Sequence, residues 1–275
     1  MPTTTAARPP DRTRRRRVLG LTGLTAVAVL VTSMLATGDH PLSAPAPDLP
    51  PAPPPQAPPP ADDPPVGGWD VAAQTALASR PMPRLPESAA WPHPLHGGDA
   101  AAPIVLPMPT SRSGPVPSGF PGTVEGAIAQ LAALTQVGLD GGDPHGYRQA
   151  YEAVAASGAP AVETTRLHRD LRRVRATVDG LPPTGAVPGL EFRWTPTSAL
   201  IKGSTDGNRY TVVCVLGELV TGRHGQSVST GAGDCQAFRR IGDEWRISPG
   251  ARAADATLAW PGSPEAVRAG YRAVR

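Results

Sequence analysis

Two cysteines, Cys214 and Cys235, are the residues of this 275-residue chain best suited to covalent chemistry. They fall in two stretches of alternating apolar residues that predict neighbouring β-strands, so their side chains can meet. In an oxidising compartment such a pair forms a disulfide, and closing a loop of about 20 residues contributes roughly 3 kcal/mol to stability. In the cytoplasm the same residues would be two buried thiols. We expect the disulfide, on condition that the chain is exported.

Catalytic and metal-binding patterns are missing from the rest of the sequence. The six histidines do not cluster, and His93 and His96 lack a cysteine or carboxylate at ligand spacing, which favours a surface segment over a zinc site. The sequence contains no nucleophile elbow, phosphate-binding loop, paired-histidine zinc motif or dinucleotide fingerprint. The pair Asp62-Asp63 lies in a Pro-rich stretch that cannot hold groups in catalytic geometry. We therefore expect no catalytic residue, no metal and no cofactor.

Several arginines share one face of a predicted helix over residues 161–179, mostly opposite its leucines. They are Arg166, Arg169, Arg172, Arg173 and Arg175. The first four are candidates for contact with an anionic surface, either lipid headgroups or DNA. The alternative is a solvated helix face with acidic neighbours elsewhere in the fold.

The charge of the chain is concentrated at its N-terminus. Residues 1–38 hold six Arg and one Asp, whereas residues 39–275 hold 20 basic and 22 acidic groups. The overall charge of +3 therefore belongs to one tail. A nucleic-acid-binding body is not supported, and we do not expect direct DNA binding.

An uncharged stretch that follows this tail predicts a membrane segment. Residues 18–36 contain 19 residues without a charge, directly after Arg14, Arg15, Arg16 and Arg17. About 20 residues of helix cross the hydrocarbon core, and the positive-inside rule keeps the tail of residues 1–17 in the cytoplasm. We expect a retained transmembrane helix over residues 18–38. A cleavable signal peptide is the main alternative, and a buried core helix is a third.

The segment after the predicted span is rich in proline. Residues 41–65 hold 13 Pro in 25 positions, and Pro and Gly together make up about a quarter of the chain (36 and 30 residues). This composition predicts a disordered, polyproline-like spacer over residues 39–66 and only one modest folded domain. A Pro-rich ligand for a partner domain is the alternative interpretation.

The remaining sequence divides into an extended, partly ordered segment (67–121) and an α+β domain (122–275). A short Ala-rich helix, with Trp69 and Trp91 as contacts to the domain, is expected in the first. Apolar residues at helical spacing then predict three helices, and from Leu190 onward a period of two predicts a four-stranded antiparallel sheet, followed by a short helix at 264–271. We expect the helices on one face of this sheet.

Short motifs in the last two thirds of the chain carry a resemblance. In order, they are Gly119-Phe120-Pro121-Gly122-Thr123-Val124-Glu125-Gly126-Ala127, Cys214-Val215-Leu216-Gly217, Gly233-Asp234-Cys235-Gln236, Trp245-Arg246-Ile247-Ser248-Pro249-Gly250 and Trp260-Pro261-Gly262-Ser263. They resemble a family of actinobacterial membrane proteins associated with plasmids and integrative conjugative elements. The layout of helices and a curved sheet is also similar to the nuclear-transport-factor-2-like cone fold, which single-span components of type IV secretion machines use. The resemblance implies an assembly role rather than an enzyme.

These observations lead to one expected function with alternatives. We expect a single-pass membrane protein, with its N-terminus cytoplasmic and its C-terminal domain extracellular, that acts as an accessory or scaffold in conjugative DNA transfer or a related secretion assembly. Its partners would be other membrane or envelope components, or further copies of itself. A secreted or anchored ligand-binding or enzymatic domain of the same cone fold is the alternative, and a cell-wall or signalling accessory is a third.

Overall fold

The computed structural model describes residues 68–94 and 101–275. The basic tail, the predicted transmembrane helix and the predicted spacer therefore lie outside the described residues. Within them, no helix combines the length and the apolar character needed to cross a membrane. The architecture is α+β, with helices packed against a five-stranded antiparallel sheet.

Five helices form where the sequence pattern places them: α1 (Val71–Ser79), α2 (Val124–Leu139), α3 (Pro144–Val154), α4 (Arg166–Thr177) and α5 (Pro264–Arg268). Polar side chains cap four of their N-termini: Asp70 accepts a hydrogen bond from the Ala73 N–H, Thr123 from Gly126, Asp143 from His145 and Ser263 from Ala266. The third predicted helix is shorter than expected, because residues Val162–Thr164 form a separate 3-10 turn before α4.

The sheet consists of β3 (Leu190–Thr205), β4 (Tyr210–Arg223), β5 (Gln226–Ile241), β6 (Glu244–Ile247) and β7 (Arg272–Ala273), in the order β6-β5-β4-β3-β7. Strand β3 has register shifts at Pro196/Ser198 and Ile201/Gly203, and the first of them separates the alternating residues up to Trp194 from those that end at Ile201. The sheet has five strands rather than the expected four, because the two-residue β7 pairs with β3. Two further strands, β1 (Ser111–Ser113) and β2 (Val116–Ser118), form a separate hairpin.

Both faces of the sheet are buried, whereas the sequence pattern predicted a covering layer of helices on one face. On one face, helices α2, α3 and α4 pack against Val213, Val215, Leu219 and Phe238. On the other face, Val212, Cys214, Leu216 and Cys235 pack against α1 and against alanines of the C-terminal segment. Strand β4 is accordingly buried along most of its length, as in sheets covered on both sides.

The second face is covered by residues 69–93, which we call the strap. The strap contains α1, as its alanines predict, and a 3-10 turn over Glu87–Ala90. Farther along, Ile104 pairs in parallel with Val274 and thereby covers the outer side of β7. Much of the segment 67–121, which was expected to be extended, therefore packs on the sheet or along its edge.

Candidate functional site

The disulfide joins the two central strands of the sheet. Cys214 on β4 lies directly opposite Cys235 on β5, their Cα atoms are 4.0 Å apart, and the two sulfur atoms are bonded. Both residues are buried, at 0% and 3% exposure. The alternation of the two strands therefore predicted the pairing correctly. The described residues contain no free cysteine.

The strap seals this disulfide from solvent. Its Ala78 is fully buried in the same apolar cluster as the two cysteines. Three side chains of the body donate hydrogen bonds to strap carbonyls: Lys202 to Ala78 (2.9 Å), Thr257 to Pro83 (2.7 Å) and Thr230 to Ala90 (3.1 Å). Burial, with a smaller contribution from Arg80, lowers the pKa of Lys202 to about 8. The hydrogen bond to the Ala78 carbonyl offsets part of the free energy needed to bury this amine.

The start of the strap is held by a clamp around Trp69. The guanidinium groups of Arg209 and Arg239 lie 4.6 Å and 4.1 Å from the centre of the indole ring. The carboxylate of Asp206 accepts hydrogen bonds from the Asp70 N–H (2.8 Å) and from Gln74 Nε2 (2.7 Å). Cation–π contacts and a charged acceptor thus fix the strap where it enters the domain. Trp69 was expected to contact the domain, and this prediction is confirmed.

The predicted arginine face on α4 is present and partly paired with carboxylates. Arg166 Nε lies 3.3 Å from Asp170 Oδ2, and Arg169 Nη2 lies 3.7 Å from Asp255 Oδ2. Arg172 is exposed and makes no ion pair within 68–94 and 101–275. Arg175, by contrast, is buried and donates to the carbonyls of Gly141, Gly142, Pro182 and Gly185. Arg175 is therefore a structural residue that holds two loops together, and contact of the other four with an anionic surface stays a prediction.

A buried carboxyl group, that of Asp234, lies on the helix-facing side of β5. Asp234 accepts hydrogen bonds from the Cys235 N–H and from Gln236 Nε2, both at 2.9 Å. Burial raises the pKa of Asp234 to about 7, although the two hydrogen bonds oppose the shift. Burial also raises the pKa of Tyr147 on α3, and the nearby Asp234 raises it further. Asp234 therefore titrates near neutral pH inside the core.

The histidines do not form a metal site in the part of the chain that the structure describes. His93 Nε2 lies 3.1 Å from the Glu265 carboxylate, and His93 Nδ1 lies 2.7 Å from the Trp91 carbonyl oxygen. His96 lies outside the described residues. Over residues 68–94 and 101–275, no three histidine, cysteine or acidic side chains are grouped closely enough to hold a metal ion. His93 instead ties the end of the strap to α5.

Two small cavities in the described part of the chain are candidate ligand sites. A cavity of about 10 Å³ between α4 and β5 is lined by Arg166, Asp170, Thr230, Leu258 and residues 231–233. An open depression of about 210 Å³ lies between α1, Arg239 and residues 249–251. Pockets for small ligands usually have about 300–1,000 Å³ and bury most of the ligand. Neither opening reaches that size, so neither is a ligand site by this measure.

Comparison of the chain with protein families, with curated proteins and with solved structures found no match. The account of function therefore depends on the residues of this chain and on their contacts.

Sequence reasoning did not single out the buried polar residues. Asp234 occupies a core-facing position of β5, and Asp170 follows Leu167 by three positions on the buried side of α4. Both positions are visible in the strand and helix periods once the elements are known. Lys202 is the one lysine of the chain, and a single residue offers no spacing that would indicate its contact with the strap. The Trp69 clamp has no local signal, because Arg209 in the β3–β4 turn and Arg239 on β5 lie about 140 and 170 residues away in the sequence.

Proposed function

We propose that this protein is a single-span membrane protein whose extracytoplasmic α+β domain acts as an accessory or scaffold in an envelope assembly, with conjugative DNA transfer as the favoured process. Residues 1–17 would be cytoplasmic, residues 18–38 would cross the membrane and residues 39–66 would form the spacer. The observation that carries the proposal is the Cys214–Cys235 disulfide, because structural disulfides persist mainly in oxidising compartments.

The filled interior favours an assembly role over ligand binding or catalysis. Large side chains from both layers fill the core between helices and sheet, among them Trp194, Tyr147 and Phe238. The cavity beside Asp170 has room for little more than one water molecule. A substrate would therefore have no enclosed site there, whereas a rigid outer surface can serve a partner protein.

The arrangement of the helices supports the relation to the nuclear-transport-factor-2-like cone. Helices α2, α3 and α4 cover one face of long antiparallel strands, and the register shifts of β3 are of the kind that bends a sheet. The strap on the opposite face is an addition to this plan. We propose that the strap couples the spacer (residues 39–66) mechanically to the domain, because the clamp holds Trp69, where the strap begins.

A mating assay tests the proposal. In the strain that carries this gene, deletion is expected to lower the frequency of DNA transfer, and the wild-type chain is expected to restore it. Leu24→Arg places a charge in the middle of the predicted span and should fail to restore transfer, whereas the matched Leu24→Ile should succeed. Transfer that is unchanged by the deletion would contradict the role in conjugation. Transfer restored equally by Leu24→Arg would contradict the need for the membrane anchor.

A further inference from the structure

The contact between Arg166 and Asp170 on α4 joins a surface cation to a buried acid. The Asp170 side chain is 3% exposed, while that of Arg166 is 18% exposed and reaches the surface. Arg166 Nε donates to Asp170 Oδ2, and Asp170 Oδ1 accepts no hydrogen bond from the described residues. Among the described residues, Arg166 is thus the one hydrogen-bond donor to this carboxylate.

Beyond the arginines of its own helix, the residues that line the cavity beside Asp170 offer no positive charge to its carboxylate. On its own helix it faces Arg166, Arg173 and Arg169. The cavity beside it is lined from β5 by Thr230 and residues 231–233 and from the C-terminal segment by Leu258, none of which carries a charge. Burial raises the pKa of Asp170 to about 6, although the three arginines oppose the shift.

We propose that Asp170 is a proton-operated latch that sets the charge of the α4 arginine face. At pH values above the midpoint of the Asp170 titration, the carboxylate pairs with Arg166. Below it, the neutral carboxyl releases Arg166, which then adds one positive charge to the exposed face that Arg169 and Arg172 already form. The face would therefore bind a polyanion more strongly in mildly acidic surroundings. This inference does not depend on the proposed role in DNA transfer.

Protonation of Asp170 would change the surface charge of α4 without destabilising the folded protein. The pKa of Asp170 is higher in the folded protein than in the unfolded chain, so the folded state binds the proton more tightly. The contribution of Asp170 to the free energy of unfolding therefore increases as the pH falls through about 6. The acidic form is a folded protein with an altered surface charge.

The first test measures binding of inorganic polyphosphate by the full chain in detergent micelles at pH 7.5 and pH 5.0. Asp170→Asn keeps the shape of the side chain and imitates the protonated state. The matched control is Asp243→Asn, which removes a fully exposed carboxylate at the β5–β6 turn. All variants keep the same basic tail, so the comparison isolates the two positions.

At pH 7.5 we expect Asp170→Asn to bind more tightly than the wild type, with a slope of log K against log salt that is steeper by about 0.7–0.9, the value for one additional phosphate contact. At pH 5.0 the two proteins should bind alike, because the wild-type carboxyl is then protonated. Asp243→Asn should change binding by the same small amount at both pH values. Equal binding of Asp170→Asn and wild type at pH 7.5, or a difference that persists at pH 5.0, would overturn the proposal.

A second measurement uses the wild-type chain alone. The carboxyl ¹³C resonance of Asp170 in the wild-type chain should titrate with a midpoint near 6. A midpoint near 4, the usual range of an aspartate, would overturn the latch even if Asp170→Asn fails to fold.

Discussion

Replacement of the buried Asp234 by asparagine should make the domain more stable at alkaline pH. The pKa of Asp234 lies at about 7 in the folded protein, against an ordinary value of 3.8. At about 1.4 kcal/mol per pH unit between the two values, the ionised side chain costs the folded state roughly 4 kcal/mol above pH 7. Because the folded pKa is the higher one, wild-type stability should fall as the pH rises from about 4 to 7 and then level off.

Asparagine suits the site because it keeps an acceptor for the Cys235 N–H, and the Gln236 amide can rotate to accept from its new NH₂ group. Without the ionisation cost, Asp234→Asn should unfold at a temperature roughly 10 °C higher than the wild type at pH 8, given about 2–4 °C per kcal/mol for a domain of this size. At pH 5, about one unit above the ordinary pKa, the ionisation cost is roughly 1.6 kcal/mol and the difference should shrink to roughly 4 °C. Thermal unfolding followed by circular dichroism at pH 5, 6, 7 and 8 measures both proteins.

The exposed Asp243 provides the control for this comparison. Asp243→Asn removes an exposed carboxylate and should leave the pH dependence unchanged. The pKa of Asp170 is shifted in the same direction, so Asp234→Asn should retain a weaker pH dependence between about pH 4 and 6. If Asp234→Asn is as pH-dependent as the wild type, or is less stable than the wild type at pH 8, the argument from burial is wrong.

Three further perturbations test the disulfide and the strap. Replacement of both Cys214 and Cys235 by alanine should lower the free energy of unfolding by roughly 3 kcal/mol, measured by urea titration; a loss close to zero would contradict a stabilising bond. Trp69→Ala removes two cation–π contacts and should cost about 1–2 kcal/mol. It should also speed reduction of the disulfide by dithiothreitol, and an unchanged reduction rate would show that the strap does not seal the bond. A chain limited to residues 101–275, which lacks the strap but keeps Ile104 and the β1–β2 hairpin, should aggregate or bind the dye ANS, because the strap-facing side of the sheet is then uncovered; a well-dispersed NMR spectrum without dye binding would argue against the strap as part of the fold.

Local patterns were enough to predict the helices and the long strands. Leu167, Leu171, Val174 and Val178 recur at helical spacing, and the structure buries all four. Cys214 and Cys235 each fit a period of two, which placed them on adjacent strands and led to the correct disulfide. These features depend on residues close together in sequence, where a single period decides which side chains face the core.

Long-range packing determines those features of the fold and the site that local sequence patterns did not predict. The strap contains four prolines and has no extended period, so its position over the second face depends on distant partners such as Asp206 and Arg239. Strand β7 has two residues, too few for alternation to be recognised. Asp234 and Asp170 are polar residues at core positions, and only the packed neighbours show that their pKa values are raised.

The location of the domain is the central claim, and a membrane-impermeant maleimide applied to intact cells tests it most directly. Thr184 is exposed in the loop before β3, so Thr184→Cys provides a reporter on the domain, and Thr4→Cys provides one in the N-terminal tail. The account predicts that intact cells label Thr184→Cys at once, whereas Thr4→Cys reacts only after the cells are opened. Labelling of Thr4→Cys in intact cells, or protection of Thr184→Cys until lysis, would contradict the orientation on which the disulfide, the spacer and the envelope role depend.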